Sequence, residues 1–288
     1  MQRSLAPLGV VTALGRQGSG GLCGDLADLA GLAETVRTVA PDVIVNAAAY
    51  TAVDRAESEP EQARRINAHA PAVLARAAKE VNAWLIHYST DYVFDGTGTA
   101  AWQEDDPKDP VNVYGQTKLE GEQAVCESGC CYLIFRTSWV YAALGKNFIN
   151  TMLSLAAQRE NLKVVNDQTG APTGADLIAD VTAHVLRSAY PDKTLSGTYH
   201  LAAAGQATWW EYANLVISAA AESGMALKTK SENIIPVPSA EFPTPAPRPG
   251  NSRLDTTRLR TTFNLRMPPW EDGVLRVIKC LHHIFQKV

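Results

Sequence analysis

Residues 84–96 read WLIHYSTDYVFDG, and the passage from an apolar run into Ser-Thr-Asp decides the architecture. WLIHYS (84–89) is nearly continuous in apolar side chains, which suits a strand covered on both faces rather than one with a wet side. Similar runs lie on either side: VVTAL (10–14) and DVIVNAA (42–48) before it, YLIFRTS (132–138) after it. Helical patterns fill the gaps. Asp28 is placed to cap a helix over 29–39, with Pro41 beyond its end. Residues 60–81 are dominated by Ala, Leu, Arg and Lys, and 112–127 form a helix with Lys118, Glu120 and Glu122 on its wetter side. Strand and helix in this alternation predict βαβ units, hence an α/β fold with a doubly wound parallel sheet.

Beyond about residue 145 the rhythm changes. Helices over 147–159, 175–189, 208–223 and 270–286 are separated by short strands such as LKVVN (162–166) and TYHLA (198–202). This predicts a smaller α+β lobe interleaved with the first: residues 1–145 with 174–205 as one domain, 146–173 with 206–288 as the other. PVPSAEFPTPAPRPG (236–250) has too many prolines for a helix or a central strand. Because it falls inside the second lobe, a rigid loop folded over a ligand is expected there rather than a stiff linker.

The 288 residues can bury a full core, and 46% hydrophobic with 19% charged content is ordinary for a globular chain. A net charge of -4 argues against nucleic acid or an anionic membrane as partner. No apolar run reaches the roughly 18 residues of a membrane span. MQRSLAPLG lacks the charged-then-apolar pattern of a signal, so a cytoplasmic location is expected. Cys23, Cys126, Cys130, Cys131 and Cys280 have no CxxC spacing, and are expected to be reduced thiols, several of them in the core. His282 and His283 are expected on a partly solvated helix, and no metal site is expected.

The chemistry is carried by HYSTDYVFDG (87–96) and NVYGQTKLEGE (112–122). Ligands of open parallel sheets bind beyond the carboxyl ends of the strands, which is where Ser89, Thr90 and Asp91 fall. Tyr114 and Lys118 stand four apart on one helix and share a face. An ammonium beside a phenol favours the phenolate, so Tyr114 is expected to have a lowered pKa and to act as general acid or base. Thr90 can hold a substrate oxygen against it. Alone, YxxxK or Ser-Thr-Asp carries little weight; in this order, between two buried strands, they are much more specific.

With these motifs the chain resembles the extended short-chain dehydrogenases, and within them the dTDP-4-dehydrorhamnose reductases. The matching stretches are PDVIVNAAAYTAVDRAESEP (41–60), HYSTDYVFDGTG (87–98), VYGQTKLEGE (113–122), FRTSWVYA (135–142), VVNDQTGAPTG (164–174) and RPGNSRL (248–254). The resemblance implies a Rossmann-like fold, with a dinucleotide-binding domain and a nucleotide-sugar-binding lobe. It implies hydride transfer from NADPH or NADH to C4 of dTDP-4-dehydro-L-rhamnose, the last step of dTDP-L-rhamnose synthesis. It implies Tyr114 as proton donor, Lys118 as the group that lowers its pKa and meets the nicotinamide ribose, and Thr90 as polariser of the keto oxygen. Ala49, Tyr50 and Thr51 would meet the cofactor backbone, Asp25 with Leu26 would lie near the adenine, and Tyr88 would lie in the nicotinamide half. Asp91 and Trp139 would face the sugar, while Arg248 and Asn251 would address the nucleotide end. By family alone it also implies an optional Mg2+ and a homodimer.

Two departures qualify the resemblance. MQRSLAPLG reads as the last turns of the first helix and VVTAL as the usual second strand, so the first strand and its GxxGxxG turn are not in the sequence. A truncated reading of a longer gene is expected, with a natural short form that has lost cofactor binding as the alternative. The chain as given is expected to bind NAD(P)H weakly or not at all. Gly18, Gly20 and Gly21 follow VVTAL without opening a helix and read as a loop. At the second strand's end stand Gly15 and Arg16 in place of the acidic residue that suits NADH, so Arg16 is expected to pair with a 2′-phosphate and favour NADPH. Tyr92 follows Asp91 where a dehydratase would carry Glu, which argues for simple reduction. The competing reading is a non-catalytic homologue of the kind that serves as regulatory subunit of an adenosyltransferase.

Overall fold

The computed structural model describes residues 1–285. Gln2–Leu5 (α1) is a single turn, so the MQRSLAPLG stretch is helical as expected. Residues 10–14, expected as a strand, are not one: they run extended without a ladder, and Val10 is fully exposed. A strand exists only where a neighbour takes its backbone groups, and none lies beside them. Gly18, Gly20 and Gly21 adopt positive φ in a tight turn closed by Ser19 against Leu22. Leu29–Val39 (α2) starts where the Asp28 carboxylate accepts from the Gly31 N–H at 3.0 Å.

Val43–Asn46 (β1), Trp84–Thr90 (β2), Cys131–Thr137 (β3) and Gly197–His200 pair in that order, all in parallel. β1 is an edge strand among the described residues, and its Val43, Ile44 and Val45 are only half-buried, not covered on both faces. Between β1 and β2, Val53–Ser58 (α3) is followed by Pro60–Arg64, a π turn Arg65–His69 and Ala70–Glu80 (α4). Val113–Glu127 (α5) joins β2 to β3.

Side chains alternate across the strands, so each sheet face builds its own core. Leu85 and Ile134 point toward Leu32 and Val36 of α2, Leu74 of α4 and Val125 of α5. Trp84, Ile86, Leu133 and Phe135 point the other way, toward Ile178, Val181 and Val185 of Ala175–Ala189, and toward Leu259 and Phe263. Ile86, Leu133 and Phe135 have no exposed surface, and each contributes about 1.5–3 kcal/mol by burial. Helices on both faces of a parallel sheet make the doubly wound α/β arrangement.

A third cluster gathers Phe148–Gln158, Trp209–Glu222 and Trp270–Phe285 around Tyr212, Ile149, Val274 and Ile278. Against it lies a two-stranded sheet, Leu162–Val165 with Ile234–Val237. Pro236 thus sits in a strand, in a pair with no central position to disturb. Leu259, Phe263 and Met267, sequence neighbours of this cluster, pack instead on the main sheet. The cysteines are all free, but only Cys130 is buried; Cys126 and Cys280 are exposed. The expectation of several core thiols is corrected to one. His282 is half-buried and His283 exposed on the last helix.

Candidate active site

The carboxyl ends of β1, β2 and β3 converge on the start of α5. Two acceptors fix that start: the Asn112 side chain takes the Gly115 N–H at 2.8 Å, and Glu57 of α3 takes the Val113 N–H at 2.9 Å. Two glycines let the helix press close. A Cβ at Gly115 would run into the Tyr92 carbonyl, and one at Gly121 into that of Asn67. The helix therefore turns its Tyr114–Lys118–Glu122 face to the sheet. Lys118 is 1% exposed and Glu122 3%, so the expectation that they lie on the wet side is corrected. Glu120 stays part-exposed and pairs with Arg64 at 2.8 Å.

Lys118 donates from Nζ to the Tyr88 carbonyl at 2.6 Å and lies 3.3 Å from Nε2 of His87. Nδ1 of His87 lies 3.2 Å from Nδ2 of Asn46. Burial lowers Lys118 to about 8, against an opposing pull from Glu122. Burial, then the Lys118 charge, hold His87 well below its ordinary value. Burial pushes the Tyr114 phenol up to about 12, which a hydrogen bond with Thr90 partly offsets. The expected depression of Tyr114 by Lys118 is therefore not found in this structure: the ammonium is held by Tyr88 and His87, and desolvation dominates at the phenol.

Thr90 also donates to Asp91 Oδ1 at 3.0 Å and accepts the Tyr92 N–H at 3.2 Å. Burial raises Asp91 to about 6, with Ser252 and Thr90 opposing. The Tyr92 ring meets Tyr114 edge-on, with centroids 5.6 Å apart. Tyr114, Lys118, Thr90 and Asp91 thus come together. Tyr88 does so only through its carbonyl. Its ring leaves by the opposite sheet face, where the hydroxyl meets Thr182 at 2.7 Å. A site role for that ring is corrected by the alternation of the strand.

On the β1 side, the Tyr50 N–H and carbonyl are clamped by Asn67 at 2.8 and 3.1 Å, and Asn67 reaches Thr117 of α5 at 3.2 Å. Ala49 is half-buried and Thr51 exposed on the same loop. Asp25 and Arg16 lie together, 3.9 Å apart, while Leu26 packs against the α2 side of the core. Across the cleft, Trp139 adopts a φ of 48° and stacks on Trp209 with centroids 3.6 Å apart. The proline-rich loop folds back on the first lobe: Arg248 pairs with Asp54 at 2.9 Å, and the Pro247 carbonyl accepts from Asn112 at 2.8 Å. Asn251 is buried, and its amide donates to the Ala100 and Thr97 carbonyls at 2.7 and 3.2 Å, so its hydrogen bonds go to the 97–100 turn.

A Tyr–Lys helix face thus lies against strand ends that terminate in a threonine, and the chain that carries it matches known proteins over nearly its whole length. The family described as RmlD substrate binding domain matches residues 1–283. The chain belongs to the RmlD substrate binding domain family. It is 54% identical over 278 residues to the dTDP-4-dehydrorhamnose reductase of Salmonella typhimurium, covering 96% of this chain and 92% of that one. The reductase of the same name from Burkholderia thailandensis is 46% identical, covering 95% and 92%. Among solved structures, the dTDP-4-dehydrorhamnose reductase of Bacillus anthracis in complex with NADP is similar at a TM-score of 0.79 and 36% identity, covering 88% of this chain and 86% of that one. The reductase of Clostridium acetobutylicum also gives 0.79, at 34% identity, covering 90% and 87%.

Within the RmlD fold, sequence reasoning missed the buried polar layer behind Tyr114 and Lys118. His87 and Asn46 were passed over inside apolar runs, although period-two alternation puts His87 on the same face as Leu85, toward α5. Arg136 carried no role in the sequence, and Glu122 read as solvated. They form a buried bidentate pair, with Arg136 also donating to the Glu104 carbonyl at 2.9 Å. Among the described residues, no group of His, Cys, Asp and Glu is arranged to hold a metal ion, and no helix is long and apolar enough to cross a membrane.

Proposed function

We propose that this chain is an NADPH-dependent dTDP-4-dehydrorhamnose reductase, reducing the C4 keto group of dTDP-4-dehydro-L-rhamnose to give dTDP-L-rhamnose. The observation that carries the reading is the Thr90–Tyr114–Lys118 arrangement at the end of β2 and the start of α5, with Thr90 and Lys118 buried and Tyr114 half-buried. The reductase name and the NADP complex belong to relatives that cover most of this chain.

The residues fit the nicotinamide end of such a cofactor. Buried hydroxyls of Ser89 and Thr137, at the ends of β2 and β3, have no hydrogen-bond partner, which is where a polar ligand would provide one. Lys118 and the Ala49–Tyr50–Thr51 loop would hold that end, and Arg16 beside Asp25 suits a 2′-phosphate. Among the described residues no glycine-rich turn leads from a strand into a helix, so no group is assigned to the pyrophosphate. The cofactor supplies the hydride when bound.

The chain's own residues handle the proton and the sugar. A phenol held at about 12 is fully protonated at neutral pH, as a proton donor must be. As the C4 oxygen gains charge, Tyr114 gives it a proton and the Thr90 hydroxyl, turning its one O–H away from Asp91, donates a hydrogen bond. The phenolate left on Tyr114 is opposed by the charge of Lys118 four residues on. Trp139 walls the sugar, Asp91 orients Thr90, Arg248 faces the diphosphate and Asn251 shapes the loop beside it.

The same reading assigns residues 1–145 with 174–205 to dinucleotide binding and 146–173 with 206–288 to the nucleotide sugar, a homodimer as the assembly and the cytoplasm as the location. The alternative of a non-catalytic regulatory homologue finds no support: the relatives named above are reductases. The test is oxidation of NADPH with dTDP-4-dehydro-L-rhamnose, set against Tyr114→Phe.

A further inference from the structure

His87 is a buried titratable group that this reaction leaves unused. It is 1% exposed and sits between two other buried polar side chains, Lys118 at 3.3 Å from Nε2 and Asn46, itself 5% exposed, at 3.2 Å from Nδ1. We infer that His87 is a positioning residue for Lys118: a neutral acceptor, set by Asn46, that holds the ammonium in place without cancelling its charge.

The argument begins with donors. An ammonium carries three N–H groups and accepts nothing. One goes to the Tyr88 carbonyl at 2.6 Å and one is directed at Nε2 of His87, which leaves one for the cleft. A lone pair on Nε2 requires the proton on Nδ1, so the Asn46 amide, whose Nδ2 lies 3.2 Å from Nδ1, must turn its oxygen there instead. The amide can turn either end toward His87. With the nitrogen end on Nδ1, the proton moves to Nε2, and Lys118 could meet it only as a neutral amine. The orientation of Asn46 and the charge on Lys118 are therefore one choice. A carboxylate in place of His87 would anchor Lys118 but neutralise its field at Tyr114, while an apolar side chain would leave an ammonium donor unmet in the interior.

Other charged or titratable groups lie on the same helix and strand as this lysine and its acceptor, and Glu122 acts on it directly. Glu122 lies one turn on along α5 and is itself committed to Arg136 of β3. Tyr114 lies one turn back, and Asp91 follows the end of β2. With Glu122 paired, the neutral His87 contact leaves the lysine charge to act on the cleft. The inference rests on the reading of Lys118 as the cation that supports Tyr114.

Nitrogen-15 NMR of the imidazole rings in the intact protein at neutral pH tests it directly, with His87→Gln assigning the signal. A bare Nε2 and a protonated Nδ1 on His87 are expected; a proton on Nε2 overturns the inference. The pH profile of kcat gives an independent reading. His87→Leu is expected to move the basic limb down by about one pH unit, the worth of one hydrogen bond to a charged group. His87→Gln, which keeps a neutral acceptor, should retain most of the native limb. Superimposable native and His87→Leu profiles, or a His87→Gln limb shifted as far as His87→Leu, overturn it. Tyr114→Phe in the same series separates the two levels. If it abolishes turnover while the His87→Leu profile is unmoved, only the inference fails. If turnover survives it, the reading beneath fails.

Discussion

Arg136 and Glu122 form a bidentate ion pair, 2.6 and 2.9 Å in its two contacts, with both side chains 4% exposed, one helical turn beyond Lys118. Removing one partner leaves a buried charge uncompensated. Glu122→Ala is therefore expected to cost about 3–5 kcal/mol of unfolding free energy in urea titration. Glu122 also favours the charged form of Lys118, so the milder Glu122→Gln should pull the basic limb of kcat to lower pH. Native stability in Glu122→Ala would show that the pair does not hold this layer.

Asp91 gives a second prediction, in stability against pH. Its folded pKa is raised from 3.8 to about 6 by burial. The folded state thus binds more protons than the unfolded between these values, and the contribution of Asp91 is greatest below the lower one and is lost as pH rises through about 6. The loss amounts to about 3 kcal/mol. Asp91→Asn, which can still accept from Thr90, should be more stable than the native chain at neutral pH and match it near pH 4. Equal stabilities at both pH values would contradict the raised pKa.

Arg248 should separate binding from stability. Its partner Asp54 is 44% exposed, and a pair so open to water contributes under about 1 kcal/mol. Arg248→Ala should leave the unfolding midpoint nearly unchanged while raising KM for the nucleotide sugar about tenfold, the loss of one charge-assisted contact. An unchanged KM would remove Arg248 from the binding site.

Trp139 and Trp209 stack within 12° of parallel. Two indoles so close should give an exciton couplet in circular dichroism, lost in Trp209→Leu. Because Trp209 backs the ring proposed to wall the sugar, the same variant should raise KM more than it lowers kcat. A couplet that survives in the variant would show that the stack is not its source.

The sequence made the parallel sheet legible because buried strands leave continuous apolar runs, which alternate with helical patterns such as 29–39, opened by Asp28, and 112–127. VVTAL read as a strand for the same reason, yet apolar content cannot supply a ladder partner. Lys118 and Glu122 read as solvated because charge normally marks a wet face. What buries them is tertiary: Gly115 and Gly121 let α5 approach, and His87 and Arg136 wait on the strands opposite. The Tyr114–Lys118 spacing was plain, but its electrostatics were not, since the contest between a nearby charge and desolvation is settled only by distance and burial.

The most direct measurement is steady-state NADPH oxidation with dTDP-4-dehydro-L-rhamnose by the native chain and by Tyr114→Phe. The account predicts turnover by the native chain at NADPH concentrations high enough to offset the weak cofactor binding expected of this sequence, and a fall in kcat of about 10²–10⁴ in the variant, with KM little changed. Turnover retained in Tyr114→Phe, or absent from the native chain, would contradict it.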